Sequence, residues 1–423
     1  MKALFSLLVL VAACSKDNPY YCEGSPDNNC TLDGGTSSGD GDGTTKCTSA
    51  NDCSGGTPAC DDTIGVCVAC TATDIGACTG MKPVCSTSNS CRACTMNAEC
   101  ASGACMPDGS CADSAALLYA SPSGGATTCA MGDKCSLEAA IAAADSTKKV
   151  IVLDPGTYNT TGSVSIGKEV TLLARAATIV KGGAGDGPVL NVTSGGNLTA
   201  LYAEIKNGDG DSLGHGIQCA GGTVVTRFAS IHNNGANGIS STGCTVTVER
   251  STIYSNPGGG IYLGGTTSAF TVTNNRIYLN GNNSLSLFGG VKLAISAPPS
   301  TSILQFNTII DNQAIGNTGN SGGVVCAAAF ATPNNIVARN QYSGSTSATD
   351  ANTYGNCTFA TSKIQADVTD LAFVSSGPTY DLKIGQNSTA KDSATTASTV
   401  NVDFDGDERP QNGQKDIGAD EYN

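Results

Sequence analysis

The hydrophobic pattern of the chain repeats: short strand-like stretches end in isoleucine, and an asparagine follows three residues later. Copies of this pattern, two of them looser, occur at Ile205, Ile231, Ile253, Ile277, Ile309 and Ile336. A second marker, glycine followed by isoleucine or valine, runs in phase at Gly216, Gly238, Gly260, Gly290 and Gly323. The isoleucines are 26, 22, 24, 32 and 27 residues apart, and each interval fits one coil of three short strands.

A single coil cannot bury its inward face, so the coils must stack. The repeat therefore predicts an all-β fold, a parallel β-helix with the isoleucines as an internal ladder. The asparagines are expected at a turn, where they accept left-handed backbone geometry and their amides hydrogen-bond along the axis. The preference of parallel strands for right-handed crossovers predicts a right-handed helix. The two longer intervals predict insertions near residues 281–289 and 313–322.

A short helix is predicted just before the first strands of the repeat. Ser136 is a suitable N-cap, and the apolar residues of one helical face are Leu137, Ala140, Ile141 and Ala144. The apolar run over residues 150–153 predicts a strand that ends in a turn at Pro155-Gly156. The helix is therefore expected to lie next to the first coil.

Composition agrees with a turn-rich β fold. The 423 residues include 53 glycines and no tryptophan, and only 14% of them are charged. Glycine tolerates the left-handed conformations that tight turns need. The net charge of −14 predicts that nucleic acid is not a partner, because its phosphates would be repelled. Neutral glycans and cations remain compatible with this charge.

Residues 1–14 resemble a bacterial lipoprotein signal peptide. The apolar run over residues 3–13 is too short to span a hydrocarbon core of ~30 Å. It ends in Val11-Ala12-Ala13-Cys14, which resembles a lipobox and implies a diacylglycerol on Cys14. The resemblance predicts an exported lipoprotein anchored by this lipid, at the outer membrane or the cell surface. An ordinary secretory signal is the alternative, and residues 15–46 are predicted to be a flexible tether.

A cysteine-rich stalk is predicted over residues 47–111. Twelve of the 21 cysteines form three successive groups of four: Cys47, Cys53, Cys60, Cys67; Cys70, Cys78, Cys85, Cys91; and Cys94, Cys100, Cys105, Cys111. Such short units lack a core, so disulfides must replace it, although spacing alone does not determine the pairing. The groups resemble small four-cysteine repeats of secreted bacterial surface proteins. The pairs Cys67-x2-Cys70 and Cys91-x2-Cys94 leave zinc as an alternative that would split all three groups.

Six further cysteines belong to the β-helix domain predicted over residues 112–423, and they form three pairs that are close in sequence. The expected pairs are Cys129 with Cys135, Cys219 with Cys244, and Cys326 with Cys357. The first would cross-link the cap and the second would bridge neighbouring coils. The third would cross-link the distal coils.

Two segments of this domain resemble known families. The run CSLEAAI over residues 135–141 resembles a capping segment often written CSLREAI, and VIVLDPGTY follows at residues 150–158. A short helix followed by such a strand resembles the start of pectin-lyase-like β-helices, where the helix caps the first coil. Near the C-terminus, residues 403–410 and 416–422 resemble the closing motif of bacterial surface β-helix proteins of the choice-of-anchor type.

The closing motif allows two interpretations. In the structural one, Arg409 pairs with carboxylates while Ile417 and Tyr422 pack over the final coil. In the functional one, three hard oxygen ligands bind calcium, from Asp403, Asp405 and Asp407. The motif lacks the complete EF-hand pattern, which favours the structural interpretation.

The chain offers few candidates for catalysis. Glycosidases need paired carboxylates, and polygalacturonases carry them in Asn-Thr-Asp and Asp-Asp motifs followed by Gly-His-Gly and Arg-Ile-Lys. Of these, Gly214-His215-Gly216 alone is present in the repeat region, so His215 is expected to be a turn residue. Asp209 and Asp211 lie in a Gly-Asp alternation typical of turns and complete the weak catalytic candidates.

The predicted function is display at the cell surface. A lipid anchor, a tether, a disulfide-rich stalk and a β-helix together suit a protein that binds glycan, matrix or protein partners without catalysis. The alternative is a surface-bound polysaccharide lyase or glycoside hydrolase, since enzymes of both kinds share the pectin-lyase-like fold but fold does not imply function. Convergent carboxylates with a basic residue on one face of neighbouring coils would favour the enzyme.

Overall fold

The computed structural model describes residues 46–266, 268–282, 286–315, 319–343, 351–377, 379–395, 398–411 and 413–422. The chain divides into two compact units, Met1–Cys100 with Asp108–Cys111 and Ala101–Pro107 with Ala112–Asn423. The predicted lipid attachment site Cys14 and most of the predicted tether lie outside the described residues. Within the described ranges, no helix is long and apolar enough to cross a membrane.

The first unit is a series of small cross-linked hairpins. Its antiparallel strands are Ala59–Asp61 with Val66–Val68 and Val84–Cys85 with Cys91–Arg92, and its 3-10 helices are Ala50–Asp52 and Asn97–Glu99. Within a group of four cysteines the first bonds to the third and the second to the fourth, as in Cys47–Cys60, Cys53–Cys67, Cys70–Cys85, Cys78–Cys91 and Cys100–Cys111. Cys94 is disulfide-bonded as well. The zinc alternative is therefore wrong, because both CxxC pairs consist of disulfide cysteines.

The second unit is a parallel β-helix with three sheets, named here in the order in which each coil passes through them. Sheet 1 contains Leu117–Ala120, Val150–Leu153, Glu169–Leu173, Asn197–Leu201, Thr223–Arg227, Thr245–Glu249, Phe270–Thr273 and Ile303–Gln305. Sheet 2 contains Gly156–Thr160, Ala177–Lys181, Glu204–Lys206, Ser230–His232, Thr252–Tyr254, Arg276–Tyr278, Thr308–Ile310, Ile336–Ala338 and Lys363–Gln365. Sheet 3 contains Val164–Ile166, Leu190–Val192, Ile217–Ala220, Asn237–Thr242, Gly259–Gly265, Val291–Ile295, Val324–Ala331 and Thr353–Thr358.

A few shorter elements complete this unit. Gln313–Ala314 pairs with Gln341–Tyr342, both of which follow strands of sheet 2. The 3-10 helices are Ser114–Ala116 and Thr369–Leu371. The loop Ala101–Pro107 belongs here because Ala104 packs in a small cluster with Leu117, Leu173 and Leu201 of sheet 1.

The isoleucine ladder forms inside sheet 2 as the repeat predicts. Five residues of the ladder are in direct register, and their side chains are fully buried: Ile205, Ile231, Ile253, Ile277 and Ile309. The next rung is Val337, because Ile309 pairs with Val337 and Thr308 pairs with Ile336. The assignment of Ile336 to this ladder is therefore off by one residue. A shift of one residue in a strand exchanges its inner and outer faces, and Ile336 packs outside the helix.

The predicted asparagine ladder runs along the turn after sheet 2. From Asn234 to Asn340, each amide Nδ2 donates to the Oδ1 of the next coil at 2.9–3.0 Å, through Asn256, Asn280 and Asn312. The Asn340 amide donates at 2.8 Å to Asn352, which lies in the same turn and ends the ladder. A second ladder, which the repeat did not predict, lies between sheets 1 and 2. It consists of Ser251, Asn275, Asn307, Asn335 and Ser362. The turns are therefore held by buried amides on both sides of sheet 2.

The predicted capping helix is Leu137–Ala143. The Ser136 hydroxyl accepts a hydrogen bond from the Ala139 N–H (3.2 Å), and Leu137, Ala140 and Ile141 are buried against the first coil. The structure contains disulfides between Cys129 and Cys135, Cys219 and Cys244, and Cys326 and Cys357. The first lies beside the helix, and the second joins the strand Ile217–Ala220 to the turn after the neighbouring strand Asn237–Thr242.

The described residues of the range 366–422, named here the C-terminal clasp, lie along the outside of the helix. Ile417 and Leu382 pack with Phe306, Ile310 and Ile336 in a second apolar cluster. The clasp reaches back from Asn334, whose carbonyl accepts the Gly418 N–H (3.0 Å), to Arg250, whose Nε donates to the Phe404 carbonyl (2.9 Å). The expectation that this motif packs over the final coil is therefore wrong, since it lies on the flank of several coils.

Candidate functional site

His215 is a buried turn residue in the segment between sheets 2 and 3. It is 7% exposed, and its Nδ1 accepts the Asn237 N–H at 3.1 Å, which places the proton of the neutral ring on Nε2. Burial lowers the pKa of His215 from 6.5 to about 4. Because the ring is neutral near pH 7 and Nδ1 is occupied, its role is to hold the turn of the next coil.

A pH dependence of stability follows from this burial. The unfolded chain protonates His215 first as the pH falls, because its unfolded pKa is near 6.5 and its folded pKa is about 4. Stability is thus complete above pH ~6.5 and decreases toward pH ~4, by about 2.5 kcal/mol at pH 4.5. The His215→Gln variant keeps an acceptor and should lose this contribution, which urea unfolding at pH 7.5 and 4.5 would measure. An unchanged difference between the two pH values in the variant would contradict the assignment.

Asp209 and Asp211 do not form a catalytic pair with His215. Both are exposed, and Asp209 makes a backbone bridge with Gly187 of the preceding coil (N···O 2.7 and 3.1 Å). Gly210 between them has φ +97°, and a side chain there would collide with the carboxyl group of Asp186. The segment is therefore a tight turn, as its Gly-Asp alternation indicates.

Asp403, Asp405 and Asp407 do not converge on one point. Asp403 is buried, and its carboxylate accepts the N–H groups of Gly406, Asp407 and Glu421 at 2.8–3.1 Å. Asp405 pairs with Lys383 at 2.6 Å. Among the described residues, the groups of three or more potential ligand atoms within 4.8 Å of one another consist of cysteines. The geometry therefore favours the structural interpretation of this motif over the calcium site.

The strand surfaces of the β-helix carry few carboxylates. The strands of the three sheets contain Glu169, Glu204 and Glu249, and no other acidic residue. Each is neutralised by a cation at 2.6–2.8 Å, from Lys149, Lys206 and Arg227 respectively. Glycosidases use two carboxylates that flank the bond and lie about 5–9.5 Å apart. No two of these glutamates lie on neighbouring strands of one sheet.

The outer face of sheet 3 carries a row of side chains that are polar except for one valine and neutral except for one lysine. One residue per strand is in direct register along this sheet-3 row, namely Ser165, Asn191, Gln218, Ser240, Tyr262, Lys292, Val325 and Tyr354. The residues on either side in each strand are mostly buried in the core. Neighbouring strands are about 4.8 Å apart, so the six positions from Ser165 to Lys292 span roughly 24 Å.

The polar groups of the sheet-3 row have no partners within the described residues. Asn191, Gln218, Ser240 and Tyr262 make no side-chain hydrogen bond to the protein, and Lys292 makes neither a hydrogen bond nor an ion pair. All five are partly buried. Their polar atoms are therefore available to water or to a ligand.

The row ends in an open cavity beside Lys292. The cavity has a volume of about 360 Å³ and is lined by Lys292, Val325, Tyr354 and Asn356 among others. Burial lowers the pKa of Lys292. The strands of sheet 3 contain no carboxylate that could pair with this lysine or bind a metal ion beside it.

The outer face of sheet 2 is occupied by contacts within the protein. The Glu204 carboxylate accepts hydrogen bonds from Thr178 (2.5 Å) and Lys206 (2.8 Å) and contacts His232 Nε2 (2.9 Å). Burial disfavours the ionised form of Glu204, but these hydrogen bonds outweigh it and lower its pKa to about 2. Contacts within the protein therefore occupy most polar groups of this face, and His232 Nδ1 is a buried atom that has no partner among the described residues.

A stack of rings continues this face along the helix. His232 stacks on Tyr254 (4.5 Å between centroids), Tyr254 on Tyr278 (5.2 Å), and Tyr278 on Tyr380 of the clasp (4.4 Å). The interplanar angles are 13° or less, so the inner rings have both faces covered. The stack stabilises the face and leaves little ring surface for a ligand.

Comparison with known proteins agrees with this architecture. Residues 189–364 match the family described as "Right handed beta helix region". No protein among the curated sequences matches the chain significantly. Among solved structures, pectate lyase Pel9A is similar with 18% sequence identity and a TM-score of 0.44, over 73% of this chain and 96% of that chain. The predicted right-handed parallel β-helix of the pectin-lyase-like kind is confirmed, and a likeness at this identity concerns the fold alone.

The sheet-3 row was not predicted from the sequence, although a signal for it is present. In each copy of the second marker the residue after the isoleucine or valine points outward, as Gln218, Ser240, Tyr262 and Lys292 show. Alternation along the strand would have placed these residues on one face. What the pattern could not show is that their polar atoms lack partners in the fold.

Proposed function

We propose that the protein is a non-catalytic glycan-binding module displayed at the cell surface, with the sheet-3 row as its ligand face. The observation that carries this proposal is the line of partnerless polar groups from Asn191 to Lys292, of which the lysine alone is charged, over roughly 19 Å. Amides and hydroxyls both donate and accept hydrogen bonds, which matches the hydroxyl groups of a polysaccharide chain. The predicted lipid on Cys14 would hold this face at a membrane surface.

The charge of the row favours a neutral glycan. The strands of sheet 3 contain one cation, Lys292, and no acidic residue. An anionic chain such as a polyuronate would therefore find one charge partner in the whole row, and the protein as a whole carries a charge of −14. Hydrogen bonds and the Tyr262 ring would supply most of the contacts to a neutral chain.

The triple variant Asn191→Ala, Gln218→Ala and Ser240→Ala tests the proposal. Each hydrogen bond to a ligand contributes about 0.5–1.5 kcal/mol, so the variant should bind its polysaccharide at least about tenfold more weakly. Binding to a panel of neutral and acidic polysaccharides would be measured by affinity electrophoresis. Thr199→Ala on the outer face of sheet 1 is the matched control and should bind like the wild type.

Two results would overturn the proposal. One is the absence of binding to every polysaccharide of the panel, and the other is equal binding by the triple variant and the wild type. The alternative function is that of a polysaccharide lyase, and the observation that favours it is the lowered pKa of Lys292. Assaying the same mixtures for new polysaccharide chain ends tests this alternative. If the wild type produces new chain ends and Lys292→Gln does not, the protein is a polysaccharide lyase and the proposed display function is wrong.

A further inference from the structure

A second open groove lies at the turn between sheets 1 and 2, away from the sheet-3 row. Its volume is about 530 Å³, within the range of roughly 300–1,000 Å³ typical of ligand sites. The residues that line it include Tyr202, Phe228, Ser230, Arg250, Thr252, Phe404 and Asp405. The last two belong to the C-terminal clasp, so the docked clasp forms one wall of this turn groove.

The fold holds Arg250 rigidly in this groove. Its Nε donates to the Phe404 carbonyl at 2.9 Å, and its guanidinium carbon lies 4.4 Å from the centre of the Phe228 ring. On the other side, Gly406 (φ +101°) approaches so closely that any side chain there would collide with the guanidinium. A donor group fixed in this way loses little conformational entropy when it binds a ligand.

The polar groups of the turn groove have unused hydrogen-bonding capacity. Neither Nη atom of Arg250 makes a hydrogen bond or ion pair, and the hydroxyls of Ser230 and Thr252 make no hydrogen bond within the described residues. Asp405 pairs with Lys383 through Oδ2, which leaves Oδ1 as an acceptor. The groove therefore combines fixed hydrogen-bond donors, one acceptor, and two hydroxyls that can both donate and accept hydrogen bonds.

The other walls of the groove are apolar, and Tyr202 and Phe228 present ring edges to it because both faces of each ring are covered. Tyr202 and Phe228 stack on each other with centroids 4.7 Å apart and planes 9° apart, and Arg175 covers Tyr202 at 3.7 Å. Phe404 adds a third ring, one face of which lies 4.1 Å from the guanidinium of Arg276. Apolar walls beside a few convergent polar groups are typical of sites for small amphipathic ligands.

Charge limits the ligand further. Arg250 is the cation without an ion pair in the groove, while Asp405 lines the same groove and Asp403 and Asp407 act on Arg250 electrostatically. A carboxylate or phosphate ligand would have to compete with these carboxylates for the Arg250 guanidinium. A neutral ligand with hydroxyl groups and apolar C–H faces would not compete with these carboxylates.

We propose that the turn groove binds a neutral sugar unit, with Arg250, Asp405, Ser230 and Thr252 as its hydrogen-bonding residues. The groove is a site additional to the sheet-3 row, and it does not depend on the function proposed for that row. The clasp then has a role besides stability, because it contributes Phe404 and Asp405 to the site.

The full-length protein would be tested by saturation-transfer NMR with small probes. The neutral probes are the methyl glycosides of glucose, galactose, mannose and N-acetylglucosamine, and the anionic probes are those of glucuronate and galacturonate. We expect at least one neutral glycoside to bind and the uronates not to bind. The double variant Ser230→Ala and Thr252→Val should weaken binding about tenfold, because it removes two hydrogen-bonding groups.

Two further variants locate the site and guard against misfolding. Ser230→Phe should block the groove while the thermal transition stays within a few degrees of wild type, and the triple variant of the sheet-3 row should bind the same probe within about twofold of wild type. No binding of any neutral glycoside, preference for the uronates, or full binding by both groove variants would overturn the inference. Loss of binding in the sheet-3 variant alone would also overturn it, while supporting the function proposed for that row.

Discussion

Replacing Arg409 with methionine should destabilise the docked clasp by about 3–5 kcal/mol, the cost of breaking a buried ion pair. The side chains of Arg409 and Glu421 are 0% and 2% exposed and meet at 2.8 Å. Methionine keeps much of the apolar stem but leaves the Glu421 carboxylate buried without its cation. Glu421 would have to take up a proton or expose itself to water.

Arg409 also organises the backbone of the clasp. Its guanidinium donates to the carbonyl groups of Val402 (3.2 Å), Asp416 (3.0 Å) and Gly418 (2.9 Å) and lies 4.6 Å from the centre of the Phe306 ring. These acceptors would lose their partner together with Glu421. The clasp should therefore open locally before the coils unfold.

Hydrogen exchange of the clasp amides measures this opening directly. In Arg409→Met, the amides of residues 398–411 should exchange at least about a hundredfold faster than in the wild type. Arg227→Met is the matched control, because the Arg227 side chain is 46% exposed in its pair with Glu249 and its loss should cost less than about 1 kcal/mol. Similar exchange in the two variants would contradict the burial of the Arg409–Glu421 pair.

Replacing Asn280 with leucine should lower the free energy of unfolding of the β-helix by about 3–4 kcal/mol. The Asn280 side chain donates to the Ile253 carbonyl (2.9 Å), the Tyr278 carbonyl (3.1 Å) and Asn312 Oδ1 (2.9 Å). Its Oδ1 accepts the backbone N–H of Asn256 (3.2 Å) and the Asn256 amide (2.9 Å). Leucine satisfies none of these buried groups.

The same substitution on the sheet-3 row is the control for this prediction. Asn191 is partly exposed and makes no side-chain hydrogen bond to the protein, so Asn191→Leu should change stability by less than about 0.5 kcal/mol. Urea unfolding followed by circular dichroism would compare the midpoints of both variants with the wild type. Equal midpoints for Asn280→Leu and Asn191→Leu would show that the ladder hydrogen bonds contribute nothing to stability.

The second amide ladder shows where a local pattern was present and overlooked. Asn275, Asn307 and Asn335 each stand two residues before a rung of the isoleucine ladder, and serine takes this place at Ser251 and Ser362. The spacing is as regular as that of the first ladder. The exchange of asparagine for serine obscured it, although both side chains offer an oxygen to the backbone N–H of the preceding coil.

The position of the clasp illustrates the opposite case. Arg276 and Asp420 form a buried pair at 2.7 Å although they are 144 residues apart in the chain. The closing motif identified Arg409 as a partner of carboxylates, and Glu421 is that partner. Nothing in the motif indicated that the segment turns back along the helix, because the contacts that place it come from coils far away in sequence.

The sequence alone determined the architecture, because a β-helix is built from contacts between equivalent positions of successive coils. The alternation of strand residues and the repeat of turn asparagines specify which side chains face inward and which coils are neighbours. Only the tertiary structure decided which outward polar groups are already satisfied. The partners of Glu204, Arg276 and Arg409 come from several sheets and from the clasp, whereas the sheet-3 row and the turn groove keep groups without partners. Whether a polar atom has a partner depends on the full three-dimensional arrangement, so a candidate binding face cannot be recognised from one coil at a time.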